Sequence, residues 1–424
     1  MFNKLTALAR RLLLFYLVLV AVAAHIGLYY LYSSQPAVVL STIDNLMQTL
    51  PVAAANPLSE VAPDATAASQ LSDEQISALV QQDIAANFNS WQALPAAQAL
   101  TNIRLDGQSY PDLAQALTHI KDNSHLQLPA GIYTTAMAIR ANNVTIEGVG
   151  HVILQRAAVA GKGMILAQGN NLTVRNIECR HISVPSKNGA CVRLEGRGLT
   201  LEHVYFHNSQ TGLLETAKEH GYIWIRHSRF ENLAKDARAH SLYLNSHSLY
   251  LSDSVIIGNR HQHSLKSRGP LTVIERSIIS SLSASGSRLI DLSNGGELLI
   301  QQSILQQGPH AVNNQAIGFG LEGLQHSTNT IKLIDNILLL ERPSSNILLH
   351  SGNNQPLVLL ENNLIIGAHD RYPGNHQFKY RANTALGSWP NLPRILCHLH
   401  LCQENSPNIQ NMHLAPPLTN THYY

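Results

Sequence analysis

The sequence is poor in charged residues. Asp, Glu, Lys and Arg make up 13% of its 424 residues and hydrophobic residues 45%, whereas charged residues reach about 25% in typical soluble domains. This composition excludes a disordered or solvent-exposed helical chain and leaves ample apolar surface for a core. The net charge of +2 gives no general excess of positive charge, so no nucleic-acid partner is expected.

Cysteine is also scarce. Four cysteines in a chain of this length exclude a disulfide-rich scaffold. Cys397 and Cys402 lie close together in a loop-like tail, where a small disulfide loop and a Cys/His metal site are both open. Cys179 and Cys191 fall within one repeat, where we expect small core hydrophobes rather than a redox pair.

One long apolar run stands near the N-terminus, at residues 12–31, and it follows the cations Lys4, Arg10 and Arg11. The run is about as long as a bilayer span. A cleaved signal peptide is the alternative, with Ala21–Ala23 as the small-residue cleavage site. We expect a single-pass anchor in the inner membrane, with the positive flank in the cytoplasm and the body in the periplasm.

The chain divides into four parts by composition. Residues 1–32 are the flank and anchor, and residues 33–104 form an Ala/Pro/Ser-rich spacer with helical spacing of apolar residues over 72–100. Residues 105–380 carry the main body, and residues 381–424 form a tail that caps it. Within the body, an amphipathic helix at Tyr110–Ile120 and a strand at Leu126–Tyr133 predict an N-terminal cap that covers the first open sheet edge.

The body repeats one sequence pattern nine times, at a period of about 25 residues. Each copy is an apolar-x-apolar strand, then a polar turn and a second apolar strand. The copies begin at Val144, Leu172, Leu199, Ile223, Leu249, Leu271, Leu298, Ile331 and Leu357. A single unit cannot bury its apolar face, so the units must stack, and the predicted fold is an all-β, right-handed parallel β-helix. A β-sandwich of short strands is the alternative, but it predicts hairpins rather than nine copies of one phrase.

Stacked coils lie about 4.8 Å apart, so residues at one phase of successive coils form a column. In four successive coils, Tyr243, Lys266, Asp291 and Phe319 share a phase. Three more polar residues come a few positions earlier, and a further set follows nearby. These are His240, His263 and Arg288, then Arg268, Asn294 and Glu322.

This grouping of cations, imidazoles and a carboxylate suits work on an acidic sugar chain. A cation such as Lys266, Arg268 or Arg288 neutralises a uronate carboxylate and so acidifies the C5 proton. A base, for which His240, His263, Tyr243 and Lys266 are candidates, then removes that proton. The predicted catalytic residues are Lys266, Arg268, His240, His263, Tyr243 and Asp291, and the predicted substrate-binding residues are Arg288, Glu322, Asn294 and Phe319. Each of these residues also has a purely structural alternative role, as a stacked turn histidine, a member of a solvated ion pair or a turn cap.

These phrases carry a resemblance to a known superfamily. The matching stretches are Asn188–Ala190, Val192–Gly196, His207–Leu214, His240–Leu244, His263–Arg268, Ile290–Gly296, Leu305–Pro309 and Ile317–Gly323. Over about Leu105 to Asn363 the sequence resembles the pectate-lyase-like right-handed β-helix superfamily, and within it a group of bacterial envelope proteins known as right-handed β-helix region proteins. The resemblance implies the fold and work on polysaccharides. The aspartate cluster of calcium-dependent pectate lyases and the Asp-Pro-His-Asp phrase of the alginate epimerases are absent.

The sequence therefore predicts an envelope enzyme that modifies an acidic polysaccharide, as a lyase or epimerase. No cofactor is expected, and calcium is possible but not indicated. Two alternatives remain open: a glycoside hydrolase with Asp291 and Glu322 as its carboxylates, and a non-catalytic glycan-binding or scaffold protein.

Overall fold

The computed structural model describes residues 91–236, 238–343, 345–361, 363–370 and 379–380. The predicted anchor, residues 33–90 of the spacer, and the predicted capping tail at residues 381–424 with its pair Cys397 and Cys402 lie outside the described residues. Among those described, no helix is long and apolar enough to span a membrane. Of the helix predicted over residues 72–100, only 91–100 are described, and they form no helix.

The described residues form a parallel β-helix of about nine turns, so the predicted β-helix is confirmed. In the first half of the body the elements, in chain order, are β1 (Ile103–Leu105), β2 (Gln108–Tyr110), α1 (Leu113–Thr118), β3 (His125–Tyr133), β4 (Met137–Ile139), β5 (Thr145–Gln155), β6 (Gly163–Ala167), β7 (Leu172–Arg175), β8 (Glu178–Arg180), β9 (Ala190–Leu194), β10 (Leu199–Glu202), β11 (Tyr205–His207), β12 (Thr211–Glu215), β13 (Tyr222–Arg226) and β14 (Arg229–Glu231).

The second half continues the same order. Its strands are β15 (Leu242–Leu244), β16 (Ser248–Ser252), β17 (Val255–Ile257), β18 (Leu265–Ser267), β19 (Leu271–Glu275), β20 (Ile278–Ser280), β21 (Ile290–Leu292), β22 (Glu297–Gln301), β23 (Ile304–Gln307), β24 (Gln315–Phe319), β25 (Thr330–Ile334), β26 (Ile337–Leu340), β27 (Ile347–His350), β28 (Leu357–Glu361), β29 (Leu364–Ile366) and β30 (Lys379–Tyr380).

Each regular coil contributes two strands to a 21-stranded sheet, here called sheet 1, and one strand to a nine-stranded sheet, here called sheet 2. Sheet 2 runs through β4, β6, β9, β12, β15, β18, β21, β24 and β27, all parallel. Both sheets turn apolar side chains inward to one continuous core, and sheet 2 carries the candidate site on its outer face. The predicted cap is present, since α1 begins after the N-cap Asp112 and packs Leu113 and Ala116 inward beside β1 and β2.

A polar turn joins the two sheet 1 strands of each regular coil, as the sequence predicts. The first turn residue is left-handed, with φ of 46–56° at Asn176, His203, His227, Asp253, Arg276, Gln302 and Asp335. A buried serine then accepts the backbone N–H of the serine one coil earlier: Ser254 Oγ from Ser228 at 3.0 Å, and Ser277 Oγ from Ser254 at 3.1 Å. This ladder satisfies buried backbone donors and fixes the phase between coils.

Cys179 and Cys191 form a disulfide, so the prediction that they act only as small core hydrophobes is wrong. Both sulfurs are buried between strands β8 and β9 of a single coil. The sequence separation of 12 allows the chain to travel from sheet 1 to sheet 2 and bring the two Cα atoms to 5.9 Å across the core.

Candidate functional site

The outer face of sheet 2 presents one column of residues that follows the strand register. Tyr243 pairs with Lys266, Lys266 with Asp291, and Asp291 with Gly318. Because side chains alternate across a strand, all of these positions face away from the core. The predicted phase is confirmed for Tyr243, Lys266 and Asp291.

Phe319 does not belong to this column. It pairs with Leu292, is fully buried and packs in the core, so its predicted contact with a substrate is wrong. The fourth outward position is Gly318. A Cβ there would lie 2.6 Å from Asp291 Oδ1 and 2.8 Å from Arg288 Cδ, so the absence of a side chain leaves room for those two groups.

Two cations at the centre of the site share one carboxylate. Lys266 Nζ lies 2.6 Å from Glu322 Oε1, and Arg268 Nη2 lies 2.5 Å from Glu322 Oε2. Burial by itself raises the pKa of Glu322, but the hydrogen bonds and charges of Lys266 and Arg268 outweigh it and hold that pKa below its ordinary value. The carboxylate is therefore ionised at neutral pH, and it is exposed enough for solvent or a ligand to reach it.

Tyr243 stands beside the same cations. Arg268 Nε donates a hydrogen bond of 3.0 Å to the Tyr243 hydroxyl oxygen. Lys266 Nζ and Arg268 Cζ lie 5.7 Å and 5.9 Å from the centre of the tyrosine ring. A phenolate formed at Tyr243 would thus have a guanidinium directly on its oxygen.

His240 and His263 form a stacked pair behind the column. Each Nδ1 accepts the backbone N–H of the next coil at 3.2 Å, from His263 and Arg288 respectively. Burial, followed by the positive charge of neighbouring groups, lowers the pKa of both imidazoles to about 3. With Nδ1 engaged and the ring neutral, Nε2 carries the proton, so neither ring offers a free lone pair to a substrate.

Asp291 is a buried carboxylate. Ser293 Oγ donates to its Oδ2 at 2.6 Å, Arg288 Nη1 lies 3.4 Å from Oδ1, and the Lys266 ammonium lies 3.9 Å from Oδ2. Only 4% of its side chain is exposed. Asp291 therefore orients Lys266 and Arg288 and does not face an incoming sugar.

Asn294 and Arg288 have supporting positions as well. Asn294 is buried, its Oδ1 accepts from Arg268 Nη1 at 3.2 Å, and its Nδ2 donates to the Gly323 carbonyl at 3.0 Å. It thereby ties Arg268 to the loop that carries Glu322. Arg288 binds Gln315 Oε1 through Nε at 3.0 Å and also through Nη2.

Four residues of the site escape prediction from sequence alone. Ser293 and Gln315 hold Asp291 and Arg288, Gly318 leaves the space above them, and His326 Nε2 donates to the Arg268 carbonyl at 2.9 Å. Only the strand register identifies Gly318 as part of the site. His326 lies 58 residues after Arg268 in the chain, and no repeat marks it.

The site suits anion binding and proton transfer better than two-carboxylate hydrolysis. A glycosidase needs one carboxyl group that stays protonated near neutral pH, whereas the pKa of Glu322 is lowered and Asp291 is buried behind the cations. Within the described part of the chain, no group of three or more His, Cys, Asp or Glu side chains is placed to hold a metal ion.

No protein-family model matches the chain, and no curated protein matches it. Two of the solved structures that resemble it are as follows. One is a PL6 alginate lyase in complex with a trisaccharide, at 13% identity and a TM-score of 0.30, covering 61% of this chain and 56% of that one. The other is the A-module of a mannuronan C-5 epimerase from Azotobacter vinelandii, at 11% identity and a TM-score of 0.25, covering 59% of this chain and 86% of that one. The chain thus spans little more than half the length of the lyase.

Proposed function

We propose that the protein is an envelope enzyme that modifies an acidic, uronate-containing polysaccharide by β-elimination or C5 epimerisation. The observation that carries the proposal is the convergence of Lys266, Arg268 and Tyr243, from two adjacent coils, on one outward face. Each of the three has a part in removing a proton next to a carboxylate.

Lys266 and Arg268 neutralise the uronate carboxylate. Their spacing suits that task, because they already hold the two oxygens of one carboxylate, that of Glu322. A uronate that enters the site takes the place of Glu322 on these cations. Neutralising the carboxylate stabilises the negative charge that develops when C5 loses its proton.

Tyr243 takes the C5 proton. The phenolate form of Tyr243 acts as the base, and the hydrogen bond from Arg268 fixes its oxygen beside the two cations. The C5–H electron pair moves into the carboxylate to give an enediolate held by Lys266 and Arg268. In a lyase this pair then forms the C4–C5 double bond as the C4–O bond breaks, and the departing oxygen takes up the proton that Tyr243 removed. In an epimerase a proton from solvent is delivered to C5 from the opposite face, and Tyr243 passes its proton to solvent.

Two alternative functions are less well supported. The hydrolase requires a protonated carboxylic acid, which the lowered pKa of Glu322 disfavours. The non-catalytic scaffold requires no ordered proton-transfer geometry, yet the site places a guanidinium on the Tyr243 hydroxyl and an ammonium 5.7 Å from the centre of the same ring.

The anchor and the periplasmic position belong to the proposal. The apolar run at residues 12–31, preceded by cations, supports an inner-membrane anchor. The Cys179–Cys191 disulfide supports an oxidising compartment, because disulfides persist there and are rare in the cytosol.

The test is incubation of the full-length protein with a panel of acidic polysaccharides, including alginate and polygalacturonate. Ultraviolet absorbance detects unsaturated uronate, and NMR in deuterated water detects exchange at C5. Either signal, lost in Lys266→Met and kept in the distant variant Lys162→Met, supports the proposal. Binding without either signal across the panel would instead favour the non-catalytic scaffold function.

A further inference from the structure

One connection that leads from sheet 2 back to sheet 1 is much longer than its neighbours. Residues 320–329 join β24 to β25. In the three preceding coils the equivalent connections have only three or four residues and are 245–247, 268–270 and 293–296. The extra length carries Glu322 from the end of β24 past β21 to Lys266 in β18, two strands back along sheet 2. A carboxylate from a later coil is thus delivered to the cations of an earlier one.

The backbone of this long connection is fastened to the turn that follows β21. The N–H groups of Glu322 and Gln325 donate to the carbonyls of Ser293 and Asn294, each at 2.9 Å. Asn294 Nδ2 donates in turn to the Gly323 carbonyl at 3.0 Å. Because the backbone is held on both sides of Glu322, its side chain can leave the cations by rotation about its own bonds while the connection stays in place.

Glu322 is the outermost member of the charged cluster. Its side chain is 41% exposed, against 11% for Lys266 and 25% for Arg268. One carboxylate oxygen contacts each cation, which is the arrangement that a uronate carboxylate needs. A second carboxylate brought to the same two cations would be repelled by the first. An acidic ligand therefore reaches the cations from solvent only after Glu322 has left them.

The cations keep other partners that hold them in position without Glu322. Arg268 retains its hydrogen bonds to the Tyr243 hydroxyl at 3.0 Å and to Asn294 Oδ1 at 3.2 Å. The Lys266 ammonium retains Asp291 Oδ2 at 3.9 Å, a distance that leaves most of its hydrogen-bonding capacity open. Loss of the Glu322 carboxylate thus leaves two positioned cations with an unfilled place for an anion.

We propose that Glu322 is a built-in competitor of the substrate, which occupies the place of the uronate carboxylate in the resting protein and must be displaced before an acidic ligand binds. This inference rests on the proposed function for the identity of the ligand. It gives Glu322 a part in regulating binding and no part in the proton transfer. Because one anion is exchanged for another, the unmodified protein binds acidic ligands more weakly than Lys266 and Arg268 would without Glu322.

The test measures the binding of short acidic sugars to the full-length protein by isothermal titration calorimetry, with trimers of galacturonate and of mannuronate as the probes. The test variants are Glu322→Gln and Glu322→Ala, whose folding is checked by circular dichroism. The control is Glu202→Gln, which makes the same change in net charge as Glu322→Gln. Glu202 is 36% exposed and pairs with Arg175 at 2.8 Å on sheet 1, away from the site. Each titration is repeated over a range of salt concentrations.

We expect both Glu322 variants to bind the trimers at least about threefold more tightly, as release from two partly exposed ion pairs implies. Their affinity should also fall more steeply with salt, because the vacated site has a larger net positive charge to be screened. Glu202→Gln should bind like the unmodified protein. Weaker or unchanged binding in the Glu322 variants, or binding by none of the proteins, would overturn the proposal, since a carboxylate that only orients the cations lowers affinity when it is removed. If the Glu322 variants bind more tightly while no polymer is chemically modified, the competitor stands and the enzymatic proposal fails.

Discussion

The imidazole rings of His240 and His263 lie stacked, with centres 5.2 Å apart and planes 18° apart, and the His263 backbone N–H donates to His240 Nδ1. Burial lowers both pKa values to about 3, well below the ordinary 6.5. The pair therefore remains neutral around neutral pH. Two histidines beside a candidate site thus support the backbone and do not exchange protons.

The first prediction concerns the way in which these two histidines make the folding stability depend on pH. Between pH 6.5 and pH 3 the unfolded chain binds protons at both residues and the folded protein does not, so folding stability falls as the pH falls. His240→Gln/His263→Gln removes that term. Urea unfolding should show the stability of the unmodified protein declining relative to the variant by a few kcal/mol over this window. A constant difference from pH 7 to pH 4 would contradict the buried, neutral assignment.

A second prediction concerns Glu215, whose carboxylate is fully buried. Its Oε2 accepts the backbone N–H groups of Asn245, Ser246 and His247 at 2.6–3.3 Å, and its Oε1 lies 3.5 Å from His247 Nδ1. Glu215→Ala leaves these donors unpaired and should lower the free energy of unfolding by about 3–5 kcal/mol. The exposed neighbour Glu219 gives the control, since Glu219→Ala should stay within about 0.5 kcal/mol of the unmodified protein.

The contribution of the Glu215 carboxylate to folding stability also depends on pH. Burial raises the pKa of Glu215, but the hydrogen bonds from His247, Ser246 and Asn245 outweigh it, so the folded pKa lies below its ordinary value. The stability that Glu215 provides is present above the ordinary pKa and is lost as the pH falls through the folded one. The gap between Glu215→Ala and the unmodified protein should therefore shrink below about pH 4.3, the ordinary value for a glutamate. A gap that persists unchanged at pH 2 would count against an ionised Glu215.

The third prediction concerns the Cys179–Cys191 disulfide. It closes a short loop at a sequence separation of 12, which corresponds to about 3 kcal/mol on the chain-entropy account. Cys179→Ala/Cys191→Ala should be less stable than the oxidised protein by roughly 2–4 kcal/mol in urea unfolding. Reduction should destabilise the unmodified protein and leave the double variant unaffected. Two thiols that react freely in the unreduced folded protein would show that the bond does not form.

The sequence predicts each coil of the β-helix, but it does not always predict which residue pairs with its equivalent in the next coil. Leu172, Leu199, Ile223 and Leu249 pair in register as the repeats indicate. The next coil slips by one, because Leu249 pairs with Thr272 rather than Leu271. Thr272 tolerates the buried position because its hydroxyl donates to Ser267 Oγ at 3.2 Å.

A one-residue shift in register also explains why the predicted position of Phe319 is wrong. In Ala316–Phe319 the outward position is Gly318, which has no side chain to reveal the alternation, so the pattern of apolar residues is ambiguous there. The ion pairs could not be read from sequence for another reason. Glu322 reaches Lys266 across 56 residues, and only the path of its loop decides that contact.

A fourth prediction follows from Gly318. Gly318→Ala places a methyl group against Asp291 Oδ1 and Arg288 Cδ, both closer than 3 Å, so one of them must move. Asp291 orients Lys266, and we therefore expect kcat to fall by at least about tenfold, which corresponds to about 1.4 kcal/mol. Circular dichroism should show an intact β-helix. Unchanged kcat in a folded variant would show that Asp291 and Arg288 do not set the geometry of the site.

The most direct test of the central claim is Tyr243→Phe, which removes one hydroxyl from the site and keeps the ring. If Tyr243 takes the C5 proton, turnover of the reactive polyuronate should fall by at least about a hundredfold, as expected for loss of a general base. Affinity for the polymer should change little, because Lys266 and Arg268 remain. Elimination or deuterium exchange at C5 that continues in Tyr243→Phe at the rate of the unmodified protein would contradict the account.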